Sequence, residues 1–384
     1  MPGIYLHIPF CKQACHYCNF HFSTSLKQKD ALLEAMLREL EWRREELQGE
    51  EVQTIYLGGG TPSLLDESEL QRLFDAIYQW YPVAAGAEVT LEANPDDLTA
   101  AKLEALRHTP VNRLSIGVQS FAEADLRLMN RAHNAAEART CIEQALAAGF
   151  GNLTVDLIYG SPTTSDAQWE ANVRTLTDLG IPHLSCYCLT VEPKTALDFF
   201  VQKGKTPPVD EEQASRQFEM LMDIMEAEGY EHYEISNFAR PGFYSRHNAS
   251  YWQGATYLGI GPSAHSFNGR QRKWNVANNA KYIKALLSIN PPTEISRLEG
   301  DLFEKETLTA AQCYNEYVMI SLRTSWGCRL DVIRALGPRF EQLFLKGIRD
   351  FILQGAVQQE GEVFRLTRPG KLIADRIAME LFEV

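Results

Sequence analysis

The stretch Cys11-Lys12-Gln13-Ala14-Cys15-His16-Tyr17-Cys18 follows directly on the apolar run Ile4-Tyr5-Leu6-His7-Ile8. A run this short, rich in β-branched and aromatic residues, reads as a strand, so the three cysteines stand on the loop that leaves it. Soft thiolates spaced C-x3-C-x2-C suit an iron-sulfur cluster or zinc. Three protein ligands on a four-iron cluster leave one iron open, and a chelating small molecule with amino and carboxylate groups can occupy it. A zinc knuckle that borrows His16 or His21 satisfies the same spacing and remains open at this point.

Outward from that loop the chain alternates strand-like and helix-like segments. Strand-like runs fall at 4–8, 52–57, 88–91, 113–118, 153–158 and 183–189. Between them, 31–47, 69–80, 135–149 and 166–179 space apolar residues three or four apart, as helices covering a parallel sheet do. This pattern predicts an α/β fold with six βα units. A helix at 211–229 and a strand at 232–235 follow, then 237–261 reads as a loop-like insert rich in Gly, Asn, Ser and aromatic residues. A linker is expected over 288–299, with Pro291 and Pro292. Beyond it come helices at 310–323, 330–336 and 340–354, a hairpin at 356–366 around Gly361 and a last helix at 371–381, a winged-helix-like α+β unit. The division expected is 1–235, 236–290 and 291–384.

Composition narrows the classes. The 384 residues carry a net charge of -13, which argues against a broad nucleic-acid footprint and makes the last unit a packing cap. No stretch approaches the ~20 apolar residues of a membrane span, and the start Met1-Pro2-Gly3 resembles no secretory signal. A cytoplasmic protein is expected, not an integral membrane protein; peripheral membrane association and a homodimer are compatible with it. Eight cysteines in such a chain argue against a disulfide framework. Cys141, Cys186, Cys188, Cys313 and Cys328 read as packing residues.

Polar residues gather where βα loops would build a site, at the C-terminal ends of strands. They are Gly58-Gly59-Gly60-Thr61-Pro62, Glu92 in Leu91-Glu92-Ala93-Asn94-Pro95, Gln119 in Ser115-Ile116-Gly117-Val118-Gln119-Ser120, and Asp156. Glycines there allow close backbone approach to a ligand. With the cysteine spacing and the aromatic before Cys18, these segments resemble the radical S-adenosylmethionine superfamily. More narrowly, the chain resembles the subgroup of oxygen-independent coproporphyrinogen III oxidases and HemW-type haem chaperones.

The resemblance implies a partial (β/α)6 barrel and a smaller C-terminal domain. It implies Cys11, Cys15 and Cys18 as 4Fe-4S ligands, and S-adenosylmethionine held by Tyr5, Tyr17, Gly59, Gly60, Thr61, Glu92, Gln119, Arg131 and Asp156. The oxidases carry a fourth cysteine two residues after the third and a longer N-terminal segment; position 20 is Phe20, and a chaperone is therefore expected. Arg246-His247-Asn248-Ala249-Ser250-Tyr251-Trp252 matches the H-N-x-x-Y-W motif typical of that type. It implies haem bound by His247 on iron with Asn248, Tyr251 and Trp252, a sensible set because neutral imidazole ligates haem and aromatic faces stack on porphyrin. Arg240, Arg246 and Arg272 could pair with propionates, and the role of His265 stays open. Haem-accepting clients, respiratory proteins among them, and an electron donor are the partners implied. The alternative is an enzyme acting on a porphyrin, by coproporphyrinogen decarboxylation or radical haem degradation.

Overall fold

Six strands run parallel in chain order: β1 (Gly3–Ile8), β2 (Val52–Gly59), β3 (Val83–Ala93), β4 (Arg113–Gln119), β5 (Leu153–Tyr159) and β6 (His183–Cys188). The structure, a computed structural model, describes residues 2–288 and 298–383. Strand interiors such as Ile4, Leu6 and Ile8, or Leu153, Val155 and Leu157, are fully buried, as expected of parallel strands covered by crossover helices. Helix Glu67–Trp80 shows how sequence fixes these covers. Asp66 and Glu69 form a reciprocal capping box, worth ~1 kcal/mol, and Leu70, Leu73, Phe74 and Ile77 bury the face one turn apart.

Four more strands extend the β1 side and two the β6 side. They are β7 (Glu231–Glu234), β8 (Asn237–Ala239), β9 (Tyr257–Ile260), β10 (His265–Phe267), β11 (Gln271–Asn275) and β12 (Phe303–Thr307). Among the described residues the sheet order is β12-β11-β10-β9-β1-β2-β3-β4-β5-β6-β8-β7. Strand β9 joins β1 in parallel, whereas β8 runs antiparallel to β6 and β10, β11 and β12 pair antiparallel in series. The opened barrel is thus bordered on both sides by antiparallel strands.

Two expectations are corrected. The first helix ends at Trp42 (Lys29–Trp42) instead of 47, because Arg43 turns inward to bond Glu39 at 2.8 Å and the Gly259 carbonyl at 2.7 Å. The segment 237–261 is not a loop: it holds β8, helix Arg246–Trp252 and β9. A seven-residue helix is too short to show a periodic pattern.

A second core closes the C-terminal part. Helix Pro338–Leu353 buries Phe340, Phe344, Ile348 and Phe351 against Tyr314 of helix Ala310–Leu322 and Phe364. Helix Leu330–Leu336 and a small sheet complete it, in which β15 (Val363–Leu366) lies between β13 (Cys328–Arg329) and β14 (Val357–Glu360). The hairpin turn uses Gly361 at φ 62°, a left-handed conformation glycine adopts without strain. The last helix is Ala374–Glu380. Of the expected linker, residues 289–297 lie outside the described residues.

Candidate functional site

The cysteine loop leaves β1 and is pinned on both flanks. Cys11 donates its N–H to Ser23, and Ser23 returns one to Pro9, at 3.1 and 2.8 Å. On the far side Gln13 donates to Asn130 and Asn130 to Ala14, at 2.9 and 2.8 Å. All three thiols are free and half-buried. Arg131 donates from Nη1 to Cys15 Sγ at 3.2 Å and from Nη2 to Asn94 Oδ1 at 2.6 Å and the Gly117 carbonyl at 2.5 Å. Asn94 in turn donates to Thr61 at 3.1 Å. One hydrogen-bonded chain therefore joins the cysteine loop, the EANP segment and the GGGTP loop.

This loop fits a cluster better than a single metal ion. Burial first, and then the neighbouring thiols, push Cys11 up to about 11 and Cys18 upward, so the free thiols resist ionisation until a metal holds them as thiolates. A zinc site would need a fourth ligand beside the three thiols, and His16 has Nδ1 2.8 Å from the Leu128 carbonyl. His21 is also engaged, its Nε2 meeting Asn279 Oδ1 at 2.8 Å. Arg131 Nε is buried without a partner, a donor aimed at nothing the chain supplies.

The floor of the barrel mouth is made by close backbone packing. A side chain at Gly60 would begin 2.7 Å from the Ile8 and Phe10 carbonyls. Glu92 accepts from the Gly59 N–H at 3.1 Å and from the Tyr56 hydroxyl at 2.8 Å. Gln119 has φ 73° beside a register shift in β4, the kind of strain that accumulates at ligand sites. Burial, followed by repulsion from Glu92, raises the Asp156 carboxyl to about 7; Glu92 is raised chiefly by burial as well. Two partly buried carboxylates, offset only in part by the Arg131 and Arg113 guanidiniums, favour a cationic or hydroxyl-rich ligand.

Beside this mouth stands an aromatic stack. Tyr5 lies 6.1 Å from Tyr56, and Tyr56 lies 4.9 Å from His247, with interplanar angles of 28° and 24°. His247 differs from what iron ligation on a loop requires. It sits on a helix, 1% exposed, with Nδ1 2.8 Å from Thr54 Oγ1 and Nε2 2.7 Å from the Tyr251 hydroxyl. Glu88 accepts the N–H groups of Arg246 and His247 at 3.1 and 2.9 Å, and burial lowers the His247 imidazole to about 3. Asn248 is half-buried, and its N–H meets the Ser245 hydroxyl at 3.4 Å.

Tyr251 and Trp252 instead reach a cavity of about 830 Å³. Tyr5, His7, Phe20 and His265 line its barrel side; Cys313, Tyr317, Ile320 and Leu336 line it from the C-terminal helices. Of the three arginines, Arg272 reaches this cavity, Arg246 bonds the Gly86 carbonyl at 2.8 Å and Arg240 covers the Tyr230 ring at 4.7 Å. Cys141, Cys186 and Cys328 are buried as packing residues, but Cys188 is exposed and Cys313 faces the cavity. Tyr56, Asn94 and Phe20 escape a reading of the sequence; their offset from GGGTP, from Glu92 and from the third cysteine is the signal that could have found them.

A cluster loop after β1, polar strand ends and a parallel open barrel define the radical SAM class. The family description "Radical SAM superfamily" matches residues 5–176, and "HemN C-terminal domain" matches 308–373. The heme chaperone HemW of Bacillus subtilis (strain 168) is 33% identical over 380 residues, covering 98% of each chain. The heme chaperone HemW of Escherichia coli (strain K12) is 39% identical over 268 residues, 68% of this chain and 69% of that one. The solved coproporphyrinogen III oxidase (HemN) of Escherichia coli aligns with TM-score 0.83 at 24% identity, over 99% of this chain and 90% of that one, and shares the fold. The chain belongs to the HemW family of radical SAM proteins.

Proposed function

We propose that this protein is a haem chaperone that binds S-adenosylmethionine on a 4Fe-4S cluster, carries haem and passes it to client proteins, respiratory proteins among them. The observation that carries the reading is the aromatic cavity of about 830 Å³, large enough for a drug-sized or larger flat ligand and walled by Tyr251 and Trp252 of the HNASYW segment. Its likeness to the HemW relatives over nearly the whole chain supports the same reading.

In this reading Cys11, Cys15 and Cys18 hold the cluster, and the bound pair supplies one-electron cleavage of the sulfonium. This chain's residues orient and enclose. Gly59, Gly60 and Thr61 offer close backbone approach, and Glu92, Gln119 and Asp156 supply acceptors and charge. Arg131 supplies a donor beside Cys15, while Tyr5 and Tyr17 shield the loop. His247 acts in haem binding through Tyr251, whose hydroxyl it fixes; Asn248 stands on the same helix. The division 1–235, 236–290 and 291–384 then assigns barrel, haem segment and cover. An electron donor, a homodimer, peripheral membrane association, a cytoplasmic location and no nucleic-acid partner belong to the same proposal; among the described residues no helix is long and apolar enough to cross a membrane.

A second reading, an enzyme acting on a porphyrin, has one observation in its favour: Tyr5 belongs both to the barrel mouth and to the cavity wall. The two separate in one experiment. Anaerobically reconstituted protein is given reductant and S-adenosylmethionine, with haem in one arm and coproporphyrinogen III in the other. Haem retained intact and coproporphyrinogen unchanged is the expected result; vinyl products or an opened ring would establish the enzyme instead.

A further inference from the structure

We infer that His265 is the side chain that takes the haem iron when the porphyrin occupies the cavity, an inference that rests on the haem-binding reading above. Iron ligation needs an imidazole on the cavity wall with a nitrogen lone pair that no protein group uses. Three histidines line the cavity: His7, His21 and His265. His7 is committed at both nitrogens, to the Tyr5 hydroxyl at 3.1 Å and the His21 carbonyl at 2.9 Å. Among the described residues His21 keeps Nδ1 unpartnered, but it is held at Nε2 by Asn279, and its half-buried ring lies against His7, ring centroids 6.1 Å apart. His247, bonded at both nitrogens, does not line the cavity.

His265 differs from all three. Its side chain is exposed to the cavity, and among the described residues its ring makes no hydrogen bond; its one ring contact is a stack on Trp274, centroids 6.2 Å apart at 28°. The backbone beneath it is rigid. A side chain at Gly259 would begin 2.0 Å from the His265 carbonyl, one at Gly261 would begin 2.6 Å from the His7 carbonyl, and Ser263 holds φ 64°. This close packing explains the Gly-Ile-Gly-Pro-Ser-Ala-His run: it fixes the β9–β10 corner against β1 and presents His265 beside His7. Strain held at one place by its surroundings marks a functional segment.

The surroundings suit a porphyrin. Phe20, 68% exposed, Tyr257 and Phe267 supply flat apolar faces on the same wall. Arg272 pairs with Phe267 across the β10–β11 ladder and already binds a carboxylate, Glu316, at 2.8 Å, so a propionate can take the same guanidinium. Burial, and next Arg272, keep the His265 imidazole below its ordinary value, hence neutral and able to ligate.

Hemin titration of the full-length, anaerobically reconstituted protein tests this, read by the Soret spectrum and by electron paramagnetic resonance of the ferric iron. Wild type should show an imidazole-ligated iron. His265→Gly should lose that signature and bind hemin at least tenfold more weakly, and added imidazole should restore the signature; His265→Gln, with cluster absorbance and circular dichroism unchanged, guards against a folding defect. An intact imidazole signature in both variants overturns the inference while leaving haem binding itself standing. An imidazole signature kept in His265→Gly but lost in His21→Gly overturns it in favour of His21, and a thiolate signature in the wild type that Cys313→Ser removes overturns it in favour of Cys313. Failure of the wild type to bind hemin saturably would instead bring down the haem reading.

Discussion

Asp156 shows at the scale of one residue how the site stores a cost for a ligand. Its carboxyl is ordinarily at 3.8 and stands at about 7 in the fold. Between those values the folded chain keeps a proton that the unfolded chain has released, so stability falls as pH rises through the window and the full cost is present above 7. Asp156→Asn removes the cost. The apo variant should be more stable than wild type at pH 8, by an amount on the order of a few kcal/mol, and hence melt higher, and the gain should shrink at pH 5, while binding of S-adenosylmethionine weakens. Equal melting temperatures at both pH values would contradict the assignment. Sequence alone put Glu92, Gln119 and the three cysteines at or just beyond strand ends, because strand termini are local features; Asp156, expected there too, stands in the middle of β5. Sequence could not pair Arg131 with Cys15, 116 residues apart, since such a contact exists only after the barrel curls.

At the scale of elements, loops are shaped by what lies behind them. The GGGTP loop runs so close to the exit of β1 that Gly60→Ala would place a methyl 2.7 Å from two backbone carbonyls. Backbone atoms on both sides cannot move aside as a flexible side chain would, so the variant should lose ~1–3 kcal/mol of stability and fail to retain a full cluster after reconstitution, as iron and sulfide analysis would read. Wild-type stability and cluster content would show that the loop has more room. The glycines were legible as glycines, and the six parallel strands as β-branched runs. Helix Arg246–Trp252 was not, because two turns carry no period; its start is set by Ser245 and by Glu88, a residue of a strand far away in sequence. The consequence for His247 is direct: read on a loop it looks like an open ligand, whereas on that helix it is locked between Thr54 and Tyr251.

Across the whole molecule, burial of histidines links stability to acid. His7 and His133 are lowered to about 4, and His232 and His247 to about 3, in each case chiefly by burial. Each is neutral in the fold and protonates in the unfolded chain below 6.5, so stability is lost as pH falls from 6.5 toward 4, by up to ~1.4 kcal/mol per pH unit per group. Asp156 and Glu92 act in the opposite sense over that range, but four groups outweigh two. Urea unfolding of the apo protein should therefore give a lower midpoint at pH 5.5 than at pH 7.5; an equal or higher midpoint would mean that these imidazoles are hydrated. The barrel class was legible because its βα alternation is repeated six times, but the antiparallel border β10–β12 and the cavity were not. Both arise when segments near 265, 305 and 320 meet around the barrel mouth, a tertiary event with no local pattern.

That cavity carries the central claim. Fluorescence of the tryptophans, Trp252 on the wall and Trp274 under His265, reports its occupancy during hemin titration of the reconstituted protein, followed by gel filtration. The account predicts saturable quenching and a single intact haem eluting with each chain. Linear, unsaturable quenching with free haem recovered on the column would contradict it.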